Sequence, residues 1–425
     1  MAGAGTSGRL AVQAAAIHGR GSRIQGLLAG GMDAFFRAKE GVEDNPECGG
    51  NDLKRALPPE GPFIYLGITC GLSAAYVAGA AAEALKQGHR AKGIGILGFN
   101  PLAEANQRFL PALKGSFQDL LFHLSDRANG YCLTPVIGPE PVRGSTRMKG
   151  GSATKMILDA LFLDLAPRDW LMRCAHLRGA MEDQFPRLAS CISEAGRALN
   201  SGRDVIYLAG AREGLMALLD ASECPPTFGS KPKQVRAYLS PGFAKLLPAF
   251  SMAGHRLEEV QHQAEDALFA VGGEDDLTAF QQQLKLKCRS LPRLVRGSGK
   301  EERCLADLAD KWCFNTISTG AFIQAGKVFG NRMIDLRISN LKLWERAQRI
   351  VADLAGTSRE KAAELLKKAA DLTEKENPAE LIPRLAQKEK LVATALLLAR
   401  EPMDAATARE ILVKEPLLRK TLERI

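Results

Sequence analysis

Two kinds of residue in this 425-residue chain could act on a small anion. The first is acidic. Glu223 stands in "DASECPPTFG" at 220–229, on a short helical pattern that the Cys-Pro-Pro turn is expected to end, and Glu40 and Glu43 stand in "EGVED" at 40–44. Carboxylates held near a reacting carbon can move protons. Read alone, Glu223 is equally a helix-end carboxylate making a local hydrogen bond, and Glu40 and Glu43 are a solvated acidic turn. The second kind is the hydroxyl on a glycine loop. "GAGTSGR" at 3–9 and "GITCGLS" at 67–73 place Thr6, Ser7, Gly8, Thr69, Gly71 and Ser73 at strand-to-helix turns. There, backbone N–H groups and hydroxyls can hold a phosphate without lysine. "GSTRMKGG" at 144–151 adds Ser145, Thr146 and Arg147. Each of these stretches also reads as an ordinary helix start.

The chain carries the loop and the acid in separate copies of one pattern. "AGAGTSGRLAVQAAAIHG", from Ala2, aligns with "LAGAREGLMALLDASECP", from Leu208, as glycine loop followed by helix. In the first copy the positions matched to "DASE" are Gln13, Ala14, Ala15 and Ala16, so the acid is absent. In the second, "AREGL" at 211–215 replaces the Thr-Ser loop, and "VGGEDDL" at 271–277 replaces "GITCGLS" with acids that would repel a phosphate.

The elements that must position these residues are legible as α/β. Residues 62–98 read as strand, loop, helix and second strand, a unit of a parallel sheet. The same set recurs at 204–229 and at 266–284, where a strand runs into a polar loop and a helix. Residues 152–200 read as helical, and after about residue 300 strands are expected to stop and helical spacing to continue to the end. Composition fits: 46% hydrophobic and 25% charged residues describe ordinary globular material, long enough for about two or three domains. Apolar runs are interrupted well before the roughly 18 residues that a membrane helix needs. Nine cysteines without a C-x-x-C pair suggest neither disulfides nor zinc, and favour the cytoplasm. A net charge of +9 with only 6% aromatic residues points to small anionic ligands rather than nucleic acid. The six histidines, at 18, 89, 123, 176, 255 and 262, form no motif and read as structural.

Together "GAGTSGR", "EGVED", "GGNDLK" at 49–54, "GSTRMKGGSATK" at 144–155, "DASECPPTFG" and "TGAFIQAGKVFGNRMIDLRISNLKL" at 319–343 resemble the bacterial N-acetylmuramic acid 6-phosphate etherases. They equally resemble the two-lobed glucokinase regulatory protein. Both are built from sugar isomerase (SIS) domains. The resemblance implies two SIS lobes with helix-flanked parallel sheets, at 1–165 and 166–335, and a helical C-terminal cap at 336–425. It also implies that lobe 1 lacks its N-terminal strand, because the chain begins almost on the "GAGTSGR" loop.

In the etherases one domain holds both loop and acid, and two chains pair. Here the resemblance implies an intramolecular pseudo-dimer with one composite site: lobe 1 binds a sugar phosphate and Glu223 reaches it from lobe 2. Glu43 matches the family's second acid and Lys342 a lysine that approaches the phosphosugar. The implied activity is carbon–oxygen lysis of a lactyl ether, with Glu223 and Glu43 catalytic and no cofactor or metal. Thr6, Ser7, Gly8, Glu40, Thr69, Gly71, Ser73, Ser145, Thr146, Arg147 and Lys342 would bind substrate. The alternative is a phosphosugar sensor whose protein partner is a sugar kinase.

Overall fold

The runs "FIYLGI" and "AKGIGIL" carry the branched residues and the length of a buried strand, and they form the core of the first sheet. In the computed structural model this sheet contains β1 (Ala2–Gly3), β2 (Leu27–Leu28), β3 (Phe63–Ile68), β4 (Ala91–Leu97) and β5 (Gly130–Leu133). The strands are parallel in the order β2-β1-β3-β4-β5. The strand that lobe 1 was expected to lack is represented by two residues, which pair with β2 on one side and β3 on the other. The structure describes residues 1–425 apart from 20–23, 38, 40, 241–253, 264, 273–281, 283–287, 296, 337, 339–340, 373–377, 416 and 425.

A second parallel sheet has the order β7-β6-β8-β9, with β6 (Val205–Ala209), β7 (Val235–Leu239), β8 (Ala267–Val271) and β9 (Arg289–Ser290). Its topology repeats that of β2-β1-β3-β4. In each half the first strand runs into a buried helix, Gly5–His18 or Gly214–Phe228, and the chain returns on the outer side before crossing over. The helix and most of the acidic loop expected after β8 fall outside the described residues.

Helices Lys149–Phe162, Pro167–Glu182, Phe185–Asn200 and Lys300–Gln324 join the halves. One apolar cluster runs through both, from Leu10, Phe35 and Ile68 to Tyr207, Phe228, Phe269 and Phe314. Strands do not stop at residue 300. Val328–Phe329 and Arg332–Met333 form a two-residue antiparallel hairpin, possible because Gly330 takes φ +58° at the turn. Among the described residues six helices between Leu341 and Arg424 follow, with their own core around Trp344, Val351, Leu366 and Leu397. Among the described residues no helix is long and apolar enough to cross a membrane.

Candidate active site

The Gly214–Phe228 helix does not end at its Cys-Pro-Pro. It runs on through Pro225 and Pro226 to Phe228 and stops at Gly229, whose left-handed φ of +62° closes the last turn. The helix accommodates proline's fixed φ, and the loss is confined to two N–H donors near its end. Glu223 is thereby held one turn before the terminus, pointing into the seam between the halves. It is 3% exposed. Oε1 accepts a hydrogen bond from the Thr6 hydroxyl of the opposite half, and Oε2 has no partner among the described residues. Burial pushes the Glu223 carboxyl above its ordinary range, opposed by Lys311, Arg147, Arg9 and the Thr6 hydrogen bond.

Glu223 opens onto a cleft of about 480 Å³. The first half contributes Gly5, Thr6, Arg9, Lys39, Glu43 and residues 144–147; the second contributes Glu223, Pro225 to Thr227 and Gly229 to Pro232. The C-terminal helices add Leu343, Arg346, Lys388 and Glu389. Glu43, half-buried on the Val42–Asp44 turn, therefore shares a cavity with Glu223 although the two lie far apart in sequence.

The structure sorts the expected ligand-binding residues into two groups. Thr6, Ser145, Thr146 and Arg147 line the cleft with the two acids. Arg147, however, is not a free anion donor. Nη1 donates to Asp220 Oδ1 at 3.0 Å and Nη2 to Ser318 and Thr319, both at 2.8 Å, so its guanidinium ties the halves together. Among the described residues its Nε lacks a partner.

Ser7, Gly8, Thr69, Gly71 and Ser73 are not brought to the cleft. Ser7 is buried, with Oγ 3.6 Å from Cys70 Sγ. Gly8 packs so closely on β1 that a Cβ would lie 2.4 Å from the Gly3 carbonyl. Thr69 Oγ1 accepts from the Ser73 and Ala74 amides at 3.3 Å, in the loop before the Ala75–Lys86 helix. The helix after "GSTRM" is likewise capped already, because Glu140 accepts from the Lys149 and Gly150 amides at 2.9 and 2.7 Å. Glu40 lies outside the described residues. Lys342 lies on the Leu341–Ala355 helix, and its side chain is outside what the structure describes.

Several residues at the site are not among the candidates that the sequence singles out. Arg9 braces the turn before Glu43 by donating to the Ala34 and Phe35 carbonyls at 2.7 and 3.0 Å. Lys311 lies behind Thr6 and donates to the Arg147 carbonyl and Asn315 Oδ1, both at 2.6 Å. Ser230, buried in the cleft wall, has an unpartnered Oγ among the described residues. Arg346, from the cap, donates to the Gly144 carbonyl at 3.0 Å and the Arg143 carbonyl at 2.5 Å.

The corresponding place on the other side is filled. Arg212, at the position of Thr6, pairs with its neighbour Glu213 at 2.7 Å. Counted from the ends of the equivalent strands, Gly3 and Ala209, the residue opposite Glu223 is Ile17, as the alignment of Ala2 with Leu208 also gives; the match of "DASE" to residues 13–16 is one position early. Ile17 packs with Leu163, Trp170 and Leu308. Beside it His18, Asp159 and Cys304 converge closely enough for a metal ion, but Lys155 Nζ already donates to Asp159 Oδ2 at 2.9 Å. An ammonium in that place leaves the carboxylate neutralised without a metal.

Residues 1–85 match the glucokinase regulatory protein N-terminal SIS domain, and residues 330–422 match the C-terminal lid domain of glucokinase regulatory protein. The chain is 26% identical to the glucokinase regulatory protein of Xenopus laevis over 439 residues, spanning 86% of this chain and 70% of that one. It is 36% identical over 218 residues to the N-acetylmuramic acid 6-phosphate etherase of Synechococcus sp. (strain CC9605), covering 43% of this chain and 68% of the relative. The corresponding etherase of Prochlorococcus marinus (strain MIT 9313) is 30% identical over 332 residues, 70% of this chain and 93% of the relative. The chain thus belongs to the SIS-domain family of N-acetylmuramic acid 6-phosphate etherases, and it is also similar to the glucokinase regulatory protein.

Proposed function

We propose that the protein is an N-acetylmuramic acid 6-phosphate etherase-like lyase with one composite site per chain. The observation that carries this reading is the meeting of Glu223 and Glu43, from different halves, in one cleft. Residues 1–165 would act as the phosphosugar lobe, 166–335 as the lobe that donates Glu223, and 336–425 as the cap. In the open-chain sugar the C2 proton is α to the C1 aldehyde. Glu223 takes that proton, the C2–C3 double bond forms, and the C3–O bond breaks as Glu43 protonates the departing lactate. Glu43 then activates water for addition at C3, and a proton returns to C2, giving N-acetylglucosamine 6-phosphate. Burial suits Glu223 to the first task, since a raised pKa makes a stronger base toward a carbon acid.

A second reading is supported by the match of residues 330–422 to a lid domain. In it the cleft senses a phosphosugar, and the protein binds a sugar kinase without catalysis. Incubation with N-acetylmuramic acid 6-phosphate decides between them. Stoichiometric lactate release supports the lyase; tight binding of the sugar phosphate without lactate supports the sensor.

A further inference from the structure

The helices Lys149–Phe162 and Lys300–Gln324 carry one pattern in corresponding places, Lys155 with Asp159 and Lys311 with Asn315. Both lysines are 1% exposed. Each reaches one turn along its own helix, Lys155 to Asp159 Oδ2 at 2.9 Å and Lys311 to Asn315 Oδ1 at 2.6 Å. The facing helix then differs. Lys155 meets Asp307 Oδ2 at 4.0 Å, whereas Lys311 meets Gly151 at the equivalent position. A Cβ on Gly151 would lie 3.1 Å from Lys311 Nζ and 3.0 Å from Thr6 Cγ2, so the missing side chain is what lets ammonium and threonine converge.

One buried ammonium is therefore neutralised by two carboxylates. The other is bound by two neutral oxygens, the Arg147 carbonyl and Asn315 Oδ1. A buried cation without a close counterion is costly, and its field reaches whatever carboxylate lies next. Across Thr6 that carboxylate is Glu223, held by the Thr6 hydroxyl. We propose that Lys311 is a positioning residue which keeps Glu223 ionised while touching neither ligand nor reacting atoms. The inference rests on Glu223 serving as the base proposed above.

The surrounding charges add to this role unequally. Arg9 and Arg147 also face Glu223 with permanently charged guanidinium groups, but Arg147 is paired with Asp220, whereas Arg9, like Lys311, meets only neutral oxygens and adds to the field on Glu223. Asp220 and Cys224 lie on the helix of Glu223, and Glu140 faces Lys311 from the loop before Lys149. The two lysines respond differently to equal burial. Burial works against the charge on Lys155, yet Asp159 and Asp307 hold it above the ordinary lysine range. Burial draws Lys311 below that range, against the attraction of Glu223.

The test is a pH series on the full chain, comparing wild type with Lys311→Met, Lys311→Gln and the charge-preserving Lys311→Arg. Lactate release from N-acetylmuramic acid 6-phosphate gives one readout. The other is the number of protons exchanged on binding N-acetylglucosamine 6-phosphate, by calorimetry in buffers of different ionisation heat. Loss of the Lys311 charge should move the acid limb upward by about one to three pH units, with the rate recovering at higher pH. Lys311→Arg should restore the limb. Proton uptake on binding should change in the neutral variants and be absent in Glu223→Gln. Lys311→Gln keeps a donor for the Arg147 carbonyl, so it serves if Lys311→Met fails to fold. A uniform loss of rate at every pH, with proton uptake unaltered, would overturn the inference. If wild type releases no lactate, the lyase reading fails, and the proton count still decides the role of Lys311.

Discussion

The seam around Thr6 and Glu223 and the seam around Arg212 and Ile17 are built from the same strand–helix unit, yet their contents are opposite. In the first, a hydroxyl of one half holds an acid of the other, and unpartnered atoms of Glu223, Arg147 and Ser230 surround a cleft. In the second, Arg212 turns back on Glu213, Lys155 is held by Asp159, and Ile17 enters an apolar cluster. The difference teaches how a duplicated interface keeps its fold after losing a site. Local ion pairs and apolar contacts occupy the filled seam, although Asp307 Oδ1 and Asp310 Oδ2 have no partner among the described residues; what sets the other seam apart is that its unsatisfied atoms border an open cleft.

The sharpest way to break this comparison is Glu223→Gln. It preserves shape and removes proton transfer, so lactate release should fall by about 10²–10⁴-fold or more. Binding of N-acetylglucosamine 6-phosphate, followed by calorimetry, should persist. Unchanged lactate release would show that the acid at the seam is structural. A smaller loss is expected from Thr6→Val, which leaves Glu223 Oε1 without its donor. A hydrogen bond to a charged group contributes about 1.5–3 kcal/mol, so kcat/KM should drop by roughly 10- to 150-fold.

The filled seam predicts a pH effect instead of a catalytic one. Burial raises the Asp307 carboxyl to about 6, despite Lys155, and it raises Asp310 as well. A carboxyl raised on folding contributes stability that is fully present below its unfolded pKa of about 4 and lost as pH rises through the folded value. Urea unfolding should therefore show wild type losing up to about 3 kcal/mol between roughly pH 4 and 7 from Asp307. Asp307→Asn, which retains an acceptor for Gln13, should flatten much of that slope. An equally steep slope in the variant would place the titration elsewhere. The smallest effect belongs to Arg212→Ala, which should leave phosphosugar affinity unchanged if the proposed site at Thr6 and Glu223 is where the sugar phosphate binds.

The sequence made the two-sheet plan and the convergence of Glu223 with Glu43 legible, because both rest on long strings whose order survives in the fold. It did not distinguish Thr6 from Ser7. The two hydroxyls are adjacent in the string but about 100° apart around a helix, and that rotation sends one to Glu223 and the other to Cys70. Thr69 reads as a phosphate donor, and its Oγ1 accepts from the Ser73 and Ala74 amides of its own loop, a use that the same residue type permits. β1 was invisible because two residues carry no periodicity. Lys311 was invisible because its meaning depends on Gly151, Asn315 and Thr6 together, a juxtaposition that only packing creates.

The central claim is that two halves build one site. A crystal structure of the full chain with N-acetylglucosamine 6-phosphate tests it most directly. One sugar phosphate per chain is expected, lying between Thr6 of one half and Glu223 of the other, with Glu43 within reach of its C3 and no molecule beside Arg212. A ligand bound in each half, or one bound away from Glu223, would contradict it.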